Sequence, residues 1–405
     1  MSGAAVLAYP THGHLAPILP VAAELVRRGE EVVFYGTGRS RAKIEATGAH
    51  YRAYACGHDD FNPTPPTAGL FSDMARLASL TEGILPRLLD EVRTLGPAYL
   101  LIDTKSLWGR MVGQILGVPA VTLSVVFAIR DGAIGVPELT GMLYRGAPPE
   151  ALFGGLLGLG EYFETARRLN CRYGAEAPGI AGYLGNPQPL NIVFTSRELQ
   201  PGNQAFGGEY LFVGPSIPPG RDDDASFPFD RLDGRPIVYV SLGTTFHNVP
   251  AFYRACFEAL SGGPWQVVLS TGGASVELGA PPENFLVRRF VPQLALLERA
   301  AAFVTHGGMN SANEALYFGV PLVVVPQRGD QHIVGARVAE LGAGLAIPPA
   351  EVDAARLRAA VLAVLSGPAF RQSAQALGAS LQNSGGYRRA ADAIRSFAGS
   401  RVAAD

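Results

Sequence analysis

Short apolar runs alternate with stretches of helical period along most of the chain. Ala4 to Tyr9 is such a run. Behind it Leu15, Ile18, Leu19, Ala22, Leu25 and Val26 recur at the spacing of an amphipathic helix, closed by Arg27, Arg28 and Gly29. Glu31 to Tyr35 predicts the next strand, Leu70 to Leu95 an amphipathic stretch, and Tyr99 to Ile102 a strand that delivers Asp103 at its carboxyl end. The chain reads as irregular from His50 through the Cys56 to Pro66 loop, and least regular from Phe127 to Pro189. Strands Asn191 to Thr195 and Tyr210 to Val213 close this half. A strand, a helix and a strand in that order make a parallel unit, which puts each strand-to-helix turn at the carboxyl edge of a sheet.

Pro215 to Asp224 is polar and rich in proline and reads as a linker. Beyond it the alternation resumes. Ile237 to Leu242, Val267 to Ser270 and Leu286 to Arg288 are strands, and Pro292 opens a helix through Leu294, Leu297 and Ala300. Ala302 to Thr305 is a strand, Asn310 and Ser311 start a helix that Gly319 and Pro321 stop, and Leu322 to Val325 is a strand. Helices follow at Gln331 to Leu341, Val352 to Leu365 and Ala369 to Leu381, with a further one from Gly386 to Ala398. The expected organisation is an α/β domain over residues 1–215, a linker over 216–236, a second α/β domain over 237–384 and a helical tail over 385–405.

Composition narrows the class. The 405 residues have room for two domains, and 48% hydrophobic with 17% charged residues suits a compact soluble α/β enzyme. A net charge of −2 gives no attraction to nucleic acid or an anionic membrane, so neither partner is expected. Lys43 and Lys105 are the only lysines among 33 basic residues, a bias typical of GC-rich coding. Cys56, Cys171 and Cys256 are widely spaced and odd in number, which points to small hydrophobes in a reducing compartment and not to disulfides or zinc. No basic signal start and no apolar run of membrane-spanning length is present, so a cytoplasmic location is expected.

Candidate chemistry sits at the turns. His306-Gly307-Gly308 leads into Asn310 and Ser311, a set of donors and bare backbone suited to a diphosphate at a helix N-terminus, although an ordinary capped turn has the same composition. Pro10 to His14 reads as a loop carrying His12 and His14, open to a catalytic or a structural role; a metal lacks a third ligand. Asp103 is either a helix cap or the partner of a histidine. His58, Asp59 and Asp60 read as a solvated loop. No Gly-x-Gly-x-x-Gly follows the first strand of either half, which argues against a nicotinamide dehydrogenase.

The stretch from Phe290 to Gln331 resembles the nucleotide-sugar signature of the family 1 glycosyltransferases, the UDP-glycosyltransferase superfamily. Pro292-Gln293, His306-Gly307-Gly308, Asn310-Ser311, Glu314, Gly319-Val320-Pro321, Pro326 and Asp330-Gln331 carry the match. Phe290 stands where the signature usually has Trp, and Met309 where plant members have Trp. The resemblance implies that Phe290 stacks on the base, Gln293 contacts the base and Glu314 holds the ribose hydroxyls. It further implies that His306, Asn310 and Ser311 bind the diphosphate and that Asp330 with Gln331 reads sugar hydroxyls. Ser241-Leu242-Gly243-Thr244 resembles the family turn whose hydroxyls and amides approach the diphosphate. Gly13-His14-Leu15-Ala16-Pro17 resembles the Gly-His-x-x-Pro segment of the catalytic base, which selects His14 and leaves His12 as a loop or acceptor-side residue. Asp103 to Gly109 resembles the segment whose aspartate pairs with that base.

What the resemblance implies as a whole is the GT-B fold: two Rossmann-like domains facing each other across a cleft, with the tail crossing back to the first. The implied activity is inverting, metal-independent transfer of a sugar, UDP-glucose favoured, to a hydroxyl of a hydrophobic acceptor such as a polyketide, macrolide or flavonoid bound by the Phe127 to Pro189 region. No cofactor is needed beyond the UDP-sugar co-substrate, and the protein is expected as a monomer or homodimer. The alternatives are a dTDP-deoxysugar transferase of antibiotic biosynthesis, a nucleotide-sugar 2-epimerase and a sugar-nucleotide binding protein without catalysis. His14 and Asp103 together weigh against the last.

Overall fold

Every strand pairing among the described residues is parallel. The computed structural model describes residues 3–61, 69–130, 149–221, 226–244, 249–273 and 278–402. Thr245, the acidic run from Asp222 to Asp224, the loop residues 62–66 and the 131–148 part of the Phe127 to Pro189 region lie outside them. The chain divides into two units, one formed by Met1–Pro218 with Ser384–Asp405 and the other by Pro219–Asn383.

In the first unit the strands are β1 (Gly3–Leu7), β2 (Glu31–Gly36), β3 (His50–Ala53), β4 (Tyr99–Asp103), β5 (Ala120–Ser124), β6 (Leu190–Val193) and β7 (Tyr210–Phe212). They form one sheet in the order β3-β2-β1-β4-β5-β6-β7. Between them run helices α1 (His12–Arg27), α2 (Arg41–Glu45), α3 (Gly69–Leu95), α4 (Leu107–Leu116), α5 (Pro149–Tyr173) and α6 (Ile180–Gly185). β1, β4 and β5 are buried almost throughout because helices cover both faces, and β1 and β4 accordingly read as apolar runs, whereas β5, broken by Thr122 and Ser124, does not read as a strand.

Three expectations are corrected here. His12, Gly13 and His14 are the first turn of α1 and not a loop; Thr11 is the N-cap, and its carbonyl accepts the His14 and Leu15 amides at 3.1 and 3.0 Å. His50–Ala53 is a strand; it lies at the sheet edge with His50, Arg52 and Ala53 exposed, so it carries no apolar signal. The supposedly irregular region holds the 25-residue helix α5, packed on α3. Its glycines lower helix propensity, yet a Cβ on Gly158 would lie 2.8 Å from the Ser72 amide of α3, so close approach of the two helices requires glycine.

The second unit repeats the plan with β8 (Ile237–Ser241), β9 (Gln266–Ser270), β10 (Phe285–Arg288), β11 (Ala300–Thr305), β12 (Leu322–Val324) and β13 (Gly344–Ala346), ordered β10-β9-β8-β11-β12-β13. Its helices are α7 (Pro250–Leu260), α8 (Gln293–Leu297), α9 (Met309–Tyr317), α10 (Asp330–Glu340), α11 (Ala354–Ser366) and α12 (Pro368–Asn383). In both sheets the order reverses beside the first strand, between β1 and β4 and between β8 and β11. Such switch points open a crevice at the carboxyl ends of the strands.

Helix α13 (Gly386–Val402) returns to the first unit. Ala390, Ala391 and Ile394 are fully buried in the core formed by β1, β4, β5 and α1. The Gly386 amide bonds the Val213 carbonyl at 2.6 Å, and Arg28 of α1 pairs with Asp392. No helix among the described residues is long and apolar enough to cross a membrane.

Candidate active site

The switch point of the first sheet brings His14 and Asp103 together. Asp103, the last residue of β4, is fully buried, and His14 stands in the first turn of α1 after β1. The Tyr9 backbone amide donates to Asp103 Oδ2 at 2.7 Å, and His14 Nδ1 lies 3.1 Å from the same oxygen. A carboxylate oxygen only accepts, so Nδ1 carries the ring proton and Nε2 is the basic nitrogen. Asp103 Oδ1 accepts the Lys105 amide at 2.7 Å, and the Asn186 side chain donates to the Asp103 carbonyl at 2.9 Å. The carboxylate is therefore held from both ends, and it fixes the histidine tautomer. His12 is exposed on the same helical turn.

Around this pair runs a ring of polar contacts that the sequence did not reveal. The Tyr9 ring lies 5.1 Å from the His14 ring; its hydroxyl donates to the Phe61 carbonyl and accepts from Arg76 Nη2 at 3.1 Å. Arg76 and Lys105 both pair with Asp73, at 3.0 and 3.2 Å. Burial opposes the Asp73 charge, but the two cations outweigh it and hold its pKa at about 2. Burial pushes the Tyr9 hydroxyl above its ordinary value, with Lys105 and Arg76 opposing. From Asp103 through Tyr9, Arg76, Asp73 and Lys105 the contacts return to Asp103. The His58 to Asp60 turn is held locally, by His58 against Thr37 and by Asp60 on the Gly57 amide.

In the second unit the turns after β8 and β11 are neighbours, since Ser241 and Thr305 are paired across the ladder. Gly243 has φ +76°, and a Cβ there would lie 2.7 Å from the His306 ring; a Cβ on Gly308 would also overlap that ring. Both glycines are thus needed to seat the imidazole. Burial pushes the His306 pKa down to about 4, with a backbone contact to Ser241 opposing, so the ring is neutral at pH 7. Ser241 Oγ and Thr305 Oγ1 accept the amides of Gly243 and Gly307 at 3.2 and 3.3 Å and fix the two turns.

Gly308 is the N-cap of α9, and no side chain caps that helix. Asn310 and Ser311 therefore occupy its first turn without serving as caps. Glu314, one turn on, shares their face and is buried. Gln293 donates to Glu314 Oε2 at 2.7 Å and accepts from the Tyr239 hydroxyl at 3.1 Å, while Arg221 donates to Glu314 Oε1 at 2.6 Å. Pro292, buried, is the N-cap of α8. Phe290 is 56% exposed, with the Arg289 guanidinium 5.5 Å from its ring centroid. Thr244 is exposed.

Asp330 opens α10, and the Gln331 carbonyl lies against the Gly307 turn. Gln331 Oε1 accepts the backbone amides of Gln327 and Arg328 at 2.7 and 3.1 Å. That oxygen thus shapes the loop before α10. Arg221, Tyr239, Tyr9 and Asn186 were not singled out from the sequence; Asn186 reads locally as a turn residue in Gly-Asn-Pro, and the others carry no motif.

Residues 266–384 match the family model described as the erythromycin biosynthesis protein CIII-like C-terminal domain. An uncharacterised UDP-glucosyltransferase of Bacillus subtilis (strain 168), YojK, is 34% identical over 97% of each chain. The oleandomycin glycosyltransferase of Streptomyces antibioticus is 31% identical, covering 96% of this chain and 89% of its own. The crystal structure of the kitacinnamycin glycosyltransferase superposes with a TM-score of 0.80 at 30% identity, over 97% of this chain and 98% of that one.

Proposed function

The chain belongs to the family 1 glycosyltransferases of GT-B fold, of the natural-product type, and from that premise we propose that it moves glucose from UDP-glucose to a hydroxyl of a hydrophobic small molecule. Polyketides, macrolides and flavonoids are the acceptor class. The observation that carries the reading is the His14–Asp103 pair, in which a buried carboxylate leaves Nε2 of a partly exposed histidine as the base.

In this reaction His14 Nε2 takes the acceptor proton as the acceptor oxygen bonds to the anomeric carbon. The bond from that carbon to the diphosphate oxygen breaks on the opposite side, so configuration inverts, and the electron pair leaves with UDP. Asp103 stabilises the imidazolium. The leaving diphosphate is met by the amides at the start of α9 and the side chains of Asn310, Ser311 and Thr244, with the neutral His306 ring beside them and its one N–H turned to the Ser241 backbone. Phe290 and Gln293 serve the base, Glu314 the ribose, and Asp330 with Gln331 the sugar. No metal ion is required. Leu156, Leu157 and Phe163, 67, 60 and 53% exposed on α5, support an apolar acceptor.

A second reading keeps the same site with a dTDP-deoxysugar as the donor. A screen of UDP-glucose, UDP-N-acetylglucosamine, UDP-galactose and dTDP-sugars against pooled polyketide and flavonoid acceptors, in EDTA and read by mass spectrometry, decides between them. The expected result is a hexose gained from UDP-glucose with EDTA present. His14→Ala is expected to lower turnover roughly 100- to 10,000-fold while UDP binding persists. Turnover of that variant at the native rate, or acceptors left unmodified by every donor, would refute the assignment.

A further inference from the structure

Glu314 is gripped from two directions that have different origins. On one side a relay descends into the sheet: Tyr239, 1% exposed and stacked on Phe303 at 4.4 Å, donates to Gln293, and Gln293 donates to Glu314 Oε2. On the other side stands Arg221, 93 residues earlier in the chain, in the non-helical stretch that joins the two units. Its guanidinium donates to Oε1 at 2.6 Å, the distance of a charge-assisted bond. The two side chains are 20 and 4% exposed, so little water competes for the pair.

A surface ion pair would stabilise this connection little and could be lost without consequence. Here the carboxylate is buried, and stripping the guanidinium removes a charge-assisted bond where little water can replace it. Its remaining protein donor among these two, Gln293, would then dictate a different orientation. Glu314 shares a helical face with Asn310 and Ser311, so any reorientation is felt on the side of α9 that carries the His306 to Ser311 turn.

We propose that Arg221 is a positioning residue of the nucleoside-diphosphate site, acting through Glu314 to hold its carboxylate in the orientation that receives the ribose hydroxyls. The inference rests on the reading of Glu314 as the ribose ligand. Arg221 stays in place when the nucleotide binds; it is a support for the carboxylate and not a competitor for it.

Calorimetric titration of the full-length protein with UDP and with 2′,3′-dideoxy-UDP tests this in four proteins: the native chain, Arg221→Ala, Arg221→Lys and Glu314→Gln. The native chain should prefer UDP at least about tenfold. Arg221→Ala should weaken UDP roughly tenfold and leave the dideoxy nucleotide within about a factor of two, so the preference collapses. Arg221→Lys, which keeps the charge but not the planar fork, should restore part of it, and reads the same ratio if the alanine variant melts too low to assay. Equal weakening of both nucleotides would mean that Arg221 serves only the fold and would overturn the proposal, as would unchanged or tighter UDP binding. A Glu314→Gln protein that keeps the full preference for UDP would instead overturn the ribose reading of Glu314 itself.

Discussion

His306 is a histidine whose surroundings keep it uncharged. With a folded pKa of about 4, the ring carries no charge throughout the physiological range, so the role proposed for it at a diphosphate is that of a neutral ring and not of a cation. The linkage sign follows from the direction of the shift. Above the unfolded value of about 6.5 both states are neutral and nothing is lost; as pH falls towards 4 the unfolded chain takes up a proton that the folded one refuses, so stability declines. Urea unfolding of the native protein and of His306→Asn between pH 7 and 5 should therefore show the native advantage shrinking, by at most about 2 kcal/mol at pH 5. A gap independent of pH would place the ring near its ordinary pKa. Residues of this kind divide sharply in legibility. His14 and His306 sit in short motifs, whereas Tyr9 meets Asp103 across 94 residues, Asn186 across 83, and Arg221 meets Glu314 across 93. No local pattern records such pairings, because folding alone creates them.

At the scale of elements, central strands were legible where burial on both faces leaves an apolar run, as in Tyr99 to Ile102 and Ile237 to Val240. β3 was not, because an exposed edge strand has no buried face to mark it. Helix α5 was hidden for a different reason: its glycines serve packing at the cost of propensity. Gly158→Val tests that account. With a Cβ 2.8 Å from the Ser72 amide, the larger side chain forces α5 away from α3, and thermal unfolding should register a loss of about 1–3 kcal/mol. UDP affinity should be unchanged, since α3 and α5 belong to the first unit and the turns proposed for the nucleotide to the second. A valine variant as stable as the native chain would show that the helices do not meet there.

For the molecule as a whole, two sheets that share a strand order over six strands each place a polar cluster at their own switch point, the His14–Asp103 pair beside β1 and β4 and the His306 turn beside β8 and β11. The first of these units is completed by α13. Ile394→Asp, which buries an unpaired carboxylate among Ala390, Ala391 and the strands they cover, should lower the melting of the first unit by several kcal/mol while UDP still raises the melting of the second. A single calorimetric transition that UDP shifts as in the native protein would contradict this separation. The placement of α13 also bears on synthesis in the cell. A ribosome adds roughly 5–20 residues per second, and it must translate all of Pro219–Asn383 before Ala390, Ala391 and Ile394 exist to fill the earlier core. The domain encoded second can therefore finish folding first. The nascent β1, β4 and β5 face wait with their apolar surface uncovered, which makes the half-made chain a natural client for chaperones.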